Sequence, residues 1–149
     1  HRNSFPLMRS VEATRHRGFT APKWFLARCL GLMGEHRQSH ALIAEALEIE
    51  GDRELASKIR RIGETSDNAL VMRELLLSWE KQVGPTGITP HDMANINARL
   101  GNVEETLRWL EKSVEIRHPW SVSIYAAPEF DLVREHPRYI ALLKRMNFI

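Results

Sequence analysis

The stretch "ARLGNVEETLRWLEKSVEI", residues 98 to 116, reads as one helix ending, a tight Gly-Asn turn and a second helix beginning. An apolar stripe leads into Gly101, and another starts again at Leu107, Leu110 and Val114, the spacing of one helical face. Chemically reactive side chains are nearly absent from it. Such a pair cannot bury its apolar faces alone, so the first question is whether the chain repeats it.

It does. With Gly34, Gly63 and Gly101 as anchors, Leu26, Leu55 and Met93 stand eight residues before, and Ala27, Ala56 and Ala94 seven before. Leu30, Ile59 and Asn97 stand four before; Met33, Ile62 and Leu100 one before. Five residues after the glycine come Ser39, Asn68 and Thr106, small enough for two helices to cross closely. Ile43, Met72 and Leu110 follow nine after, and Leu47, Leu76 and Val114 thirteen after. Asn97 is the one apolar column that fails. The anchors lie 29 and 38 residues apart, and the Gly/Pro-rich connector "GPTGITP", Gly84 to Pro90, explains the longer step.

The pattern predicts an all-α chain with helix pairs at 21–33 with 36–49, 53–62 with 66–82, and 90–100 with 103–117. The corresponding units are 21–50, a degenerate 52–83, and 88–118. Residues 1–17 read as the second half of an earlier, truncated unit, so the chain is expected to be part of a longer polypeptide. The segment 119–149, punctuated by Pro119, Pro128 and Pro137, is expected to cap the last apolar face, with Tyr139, Ile140, Leu143 and Met146 inward.

These columns resemble the tetratricopeptide repeat, which implies an α-α superhelix of helix hairpins. The small residue expected twelve after the glycine is Ala46 and Ser113, but Leu75 in the middle unit. The C-terminal third, through Leu100-Gly101, Trp109-Leu110-Glu111-Lys112, Arg117, Pro128, Phe130-Asp131, Arg134 and Pro137-Arg138, is similar to the end of tetratricopeptide regions in large bacterial signalling proteins. Those carry such regions behind winged-helix, class III nucleotide cyclase or protein kinase domains. The resemblance implies a regulatory or interaction module without catalysis of its own, in the cytoplasm.

Composition fits one globular domain. Of 149 residues 43% are hydrophobic and 27% charged, with a formal net charge of +2, which argues neither for nor against nucleic acid. Cys29 is the only cysteine and cannot form an internal disulfide. No apolar run approaches the ~18 residues of a membrane span, and no signal peptide is visible.

Individual candidates for chemistry have plain alternatives. His36 and His40 share an i, i+4 spacing, but the Glu of a metalloprotease motif precedes the first His instead of following it. Exposed histidines and no metal are the expectation. Cys29 reads as a buried, inert thiol, Trp109 as core, and Trp120 and Tyr125 as packing for the cap. "GPTG" lacks the Lys-Ser/Thr of a phosphate loop, and no nucleophile elbow is present. No cofactor and no enzymatic activity are expected.

One face carries a functional expectation. Residues ten, six, three and two before each glycine lie opposite the packing stripe, and the tetratricopeptide resemblance implies that this side of the first helices lines a concave groove. They are Trp24, Arg28, Gly31 and Leu32; Arg53, Ser57, Arg60 and Arg61; and His91, Asn95, Ala98 and Arg99. The five arginines and no acid predict capture of an acidic peptide or a C-terminal carboxylate, with Asn95 bonding the peptide main chain. Two alternatives stand beside this. Exposed apolar faces would make the chain a self-association module, and the basic face with Arg2, Arg9, Arg15 and Arg17 would contact nucleic acid.

Overall fold

Gly34 and Gly101 close the helices that precede them, and Ala27 with Ser39 lets two helices cross closely. The structure, a computed structural model, describes residues 5–65, 67–85 and 87–149, with side chains from residue 19 onward except that of Trp120. Among the described residues it is all-helical: α1 (Phe5–Leu32), α2 (His36–Ile49), α3 (Arg53–Gly63), α4 (Asn68–Glu80), α5 (Pro90–Arg99), α6 (Val103–Glu115) and α7 (Pro137–Arg145). Two 3-10 helices, Pro119–Tyr125 and Pro128–Val133, lie between α6 and α7. A single isolated bridge, Val83 to Ile88, pins the connector before α5. No described helix is long and apolar enough to cross a membrane.

The chain divides into two compact units, His1–Leu75 and Leu76–Ile149. In the first, α1 packs on α2 and α2 on α3. Its buried apolar side chains include Ala27, Ile43, Ala44, Leu47, Ala56, Ile59, Val71, Met72 and Leu75. Ser39 on α2 donates its hydroxyl to the Ala27 carbonyl of α1 at 2.6 Å, a bond possible only because both residues are small. Lys58 on α3 pairs with Glu74 on α4 at 2.9 Å, and the His40 ring nitrogen Nε2 meets the side-chain amide oxygen of Asn68 at 3.0 Å.

In the second unit α5 packs on α6, and the C-terminal segment covers both. Thr89 and Asp92 form a reciprocal capping box at the start of α5, with Pro90 in its first turn. The core joins Ala94, Ala98, Leu107 and Leu110 to Ile124, Phe130, Val133, Tyr139 and Leu142. Arg134 binds the carbonyls of Tyr125 at 2.7 Å and Ala127 at 3.0 Å, tying down the ends of the 3-10 segments. Arg138 on α7 pairs with Glu104 at 2.8 Å and with Glu111, both on α6.

One cap recurs at five helix ends. Gly34, Gly51, Gly101, Arg117 and Asn147 all take positive φ. The next residue's N–H then reaches back five positions: Glu35 to Leu30, Asp52 to Leu47, Asn102 to Asn97, His118 to Ser113 and Phe148 to Leu143. These reverse the chain while satisfying a terminal carbonyl. Asn97, the apolar failure of the repeat, is buried yet satisfied: its amide donates to the Met93 carbonyl at 2.8 Å and its oxygen accepts from Asn102 at 3.0 Å.

Three expectations need correction. Among the described residues no break separates the expected first segment from 21–33, because α1, Phe5–Leu32, is one helix of 28 residues with Pro22 inside it. Pro22 removes a helix bond without ending the helix, and Thr20 and Trp24, on either side, are fastened to Glu50 of α2. Gly63 is not a turn glycine. It is the buried last residue of α3, where an added Cβ would sit 3.1 Å from the His40 Cβ, so close helix approach is what requires it. Leu26 and Met33, expected to be packed, are exposed.

Candidate functional site

On α3 the buried residues Leu55, Ala56, Ile59 and Gly63 form one stripe. A 100° rotation per residue places Arg53, Ser57, Arg60 and Arg61 on the other side, and all four are exposed. Asp52 caps the helix through the Leu55 N–H, fixing where this face begins. Arg60 and Arg61 lie in the last turn, where cations favour the helix C-terminus.

Beside this face lies a hollow of about 440 Å³ between α2 and α3, lined by Arg37, His40, Ala41, Arg60, Gly63 and Glu64. Arg37 belongs to the site and was missed by a reading confined to the first helix of each pair.

The groove as expected is not acid-free. Arg60 pairs with Glu48 of α2 at 3.0 Å. Trp24 donates its indole N–H to Glu50 at 2.6 Å, so its ring is an internal fastener between α1 and α2. In the second unit, Asn95 donates to the buried carboxylate of Glu129 instead of facing a ligand. His91 lies against Phe130 edge-on at 5.9 Å, stacks near His118, and meets the Ser123 hydroxyl at 3.4 Å. Ala98 and Gly31 are buried, Arg28 and Arg99 half-buried. A helical period reports one helix's own faces; it does not report which carboxylate a neighbouring element brings.

The nine expected site residues therefore fall in two sets. Trp24, Arg28, Arg53, Ser57, Arg60 and Arg61 belong to the first unit, and His91, Asn95 and Arg99 to the second. Of the first set, Arg53 and Arg61 make no ion pair among the described residues, and Arg60 makes one that is exposed on both sides.

The other candidates take ordinary places. The expected exposure of the two histidines needs correction: His40 is buried and His36 half-buried, because both lie where α2 packs, and their rings stack at 6.1 Å. No group of three or more possible metal ligands occurs among the described residues. Cys29 is a half-buried free thiol. Trp109 packs on the second core with the Arg108 guanidinium 4.5 Å over its ring. Tyr125 is exposed and stacks on Phe148; the Trp120 side chain and the arginines before residue 18 lie outside the described side chains. Comparison with family models, curated proteins and solved structures finds no match to this chain.

Proposed function

We propose that this chain is a non-catalytic interaction module whose basic α3 face binds an acidic peptide or a C-terminal carboxylate. The observation that carries the reading is the exposed row Arg53, Ser57, Arg61 on α3, next to Arg60 and to Arg37 across the hollow. Guanidinium forks match carboxylate oxygens two at a time, and their rigid geometry gives direction as well as attraction. The Arg60–Glu48 pair does not oppose this. Exposed pairs are worth only about 0–1 kcal/mol, so a ligand carboxylate can take Glu48's place at little cost.

The same proposal places the module in a cytoplasmic bacterial signalling protein, as a tetratricopeptide-like superhelix. Its support is the shared packing code: Ala27, Ala56 and Ala94 are all buried, and Gly34 and Gly101 close turns of the same kind.

The test is binding of a fluorescent peptide rich in Asp and Glu with a free C-terminus. Arg53→Glu combined with Arg61→Glu should weaken binding at least about tenfold, or 1.4 kcal/mol, while the unfolding midpoint stays put. Undiminished binding by the double variant, or no binding by the parent chain, removes the reading.

A further inference from the structure

From residue 19 onward, α1 is apolar on two opposite sides, and only one of them is covered. Thr20, Ala27 and Gly31 are buried on the side that meets α2, with Trp24 between them. Half a turn away, Phe19 is 82% exposed, Phe25 64%, Leu26 49%, Leu32 40% and Met33 74%. At 100° per residue these five, with Pro22 and Cys29, fill one continuous arc. Between residues 19 and 33 the only charged side chains are Lys23 and Arg28, both at the margins of that arc. Lys23 is already paired with Glu45 of α2 at 3.2 Å.

We propose that a second copy of this chain covers this face, with the two α1 helices antiparallel about a two-fold axis at Leu26. Phe19, Pro22, Leu26, Cys29 and Met33 repeat at alternating steps of three and four, the seam of a helix pair. The seam is close to symmetric about Leu26: Phe19 and Met33 lie seven residues to either side, Pro22 four before and Cys29 three after. Antiparallel pairing sets Phe19 of one copy on Met33 of the other and Leu26 on Leu26, with Pro22 level with Leu30 and next to Cys29. Large ends meet large ends, small residues meet between them, and the end contacts are of the favourable sulfur–aromatic kind.

The area agrees. Scaling large side chains by their exposure gives roughly 600 Å² of apolar surface per copy, the upper end of the largest patch a monomer ordinarily exposes. Burying it on both copies removes roughly 1,200 Å², the lower end of stable specific interfaces. No acid in the arc would be desolvated, and the marginal lysine carries its own counter-ion. This inference concerns α1 alone and stands apart from the peptide face on α3.

Sedimentation of the full chain under reducing conditions, across micromolar to hundreds of micromolar concentration, decides it. The mass should rise from 17.2 kDa to twice that value. Leu26→Glu sets two carboxylates together on the axis, and it and Met33→Glu should each raise the dimer dissociation constant at least about tenfold, with an unchanged circular dichroism spectrum. Leu26→Cys in a Cys29→Ser background should cross-link into a dimer on mild oxidation. A monomer at every concentration with no cross-link overturns the proposal. So does a dimer that both Glu variants leave intact, or a parent chain that stays monomeric and instead sediments with anionic lipid vesicles.

Discussion

Asn95 on α5 donates its side-chain amide to the buried carboxylate of Glu129 on the second 3-10 helix, making a residue expected to meet a ligand into an internal fastener of the second unit. Removing the amide takes a hydrogen bond from a carboxylate shielded from water. Asn95→Ala should therefore lower the unfolding free energy by about 1–3 kcal/mol. It should leave acidic-peptide affinity unchanged. Denaturant unfolding and peptide titration on the same variant check both halves.

Tyr139 is buried on α7, donates its hydroxyl to the Ile124 carbonyl at 3.0 Å, and accepts from Arg134 at 3.1 Å. Tyr139→Phe keeps the ring and loses both bonds, a cost of about 1–2 kcal/mol at neutral pH. Burial pushes the Tyr139 phenol above its ordinary value. The neutral form is thus favoured by folding: its contribution is complete below the unfolded value near 10 and is lost as pH rises through the raised one. In alkaline unfolding series the gap between parent chain and Tyr139→Phe should narrow above that point. A constant gap through the alkaline range would contradict it.

The two kinds of glycine should respond differently from an ordinary helix position. Gly101 at φ +79° makes no close contact through an added Cβ, so Gly101→Ala is destabilising by backbone strain alone, about 1–2 kcal/mol. Gly63 has helical backbone, and Gly63→Ala meets His40 instead. It should cost about 1 kcal/mol through overpacking partly offset by helix propensity. Truncating the neighbour, as in His40→Ala, still leaves the Cβ in place, so it should not rescue Gly63→Ala.

Arg117 supplies the mirror case, a non-glycine residue at φ +54° closing α6. Its side chain is exposed. Arg117→Gly relieves the left-handed strain and should raise stability by about 0.5–1 kcal/mol after the added freedom of the unfolded chain is counted. Thermal unfolding decides the sign.

Much of the first-order fold was legible because local rules govern it. Thr89-Pro90-His91-Asp92 spells a helix start, Gly34 and Gly101 spell ends, and Ala27, Ala56 and Ala94 mark the close crossings. Features decided between elements were not legible. The continuity of α1 through Pro22 goes with the bonds of Thr20 and Trp24 to Glu50, thirty and twenty-six residues away. The true role of Gly63 depends on His40, and the pairing of Arg60 on Glu48. Within the candidate site, helical rotation placed Arg53, Ser57, Arg60 and Arg61 on one exposed side of α3. It could not see that the equivalent positions of α1 and α5 would be claimed by Glu50 and Glu129.

The basic face of α3 is most directly tested by amide chemical-shift mapping of the uniformly labelled chain during titration with an acidic peptide. The account predicts saturable shifts concentrated at Arg37, Arg53, Ser57, Arg60 and Arg61, weakening as salt is raised. Shifts confined to α5 and the C-terminal segment, or none at saturating peptide, would contradict it.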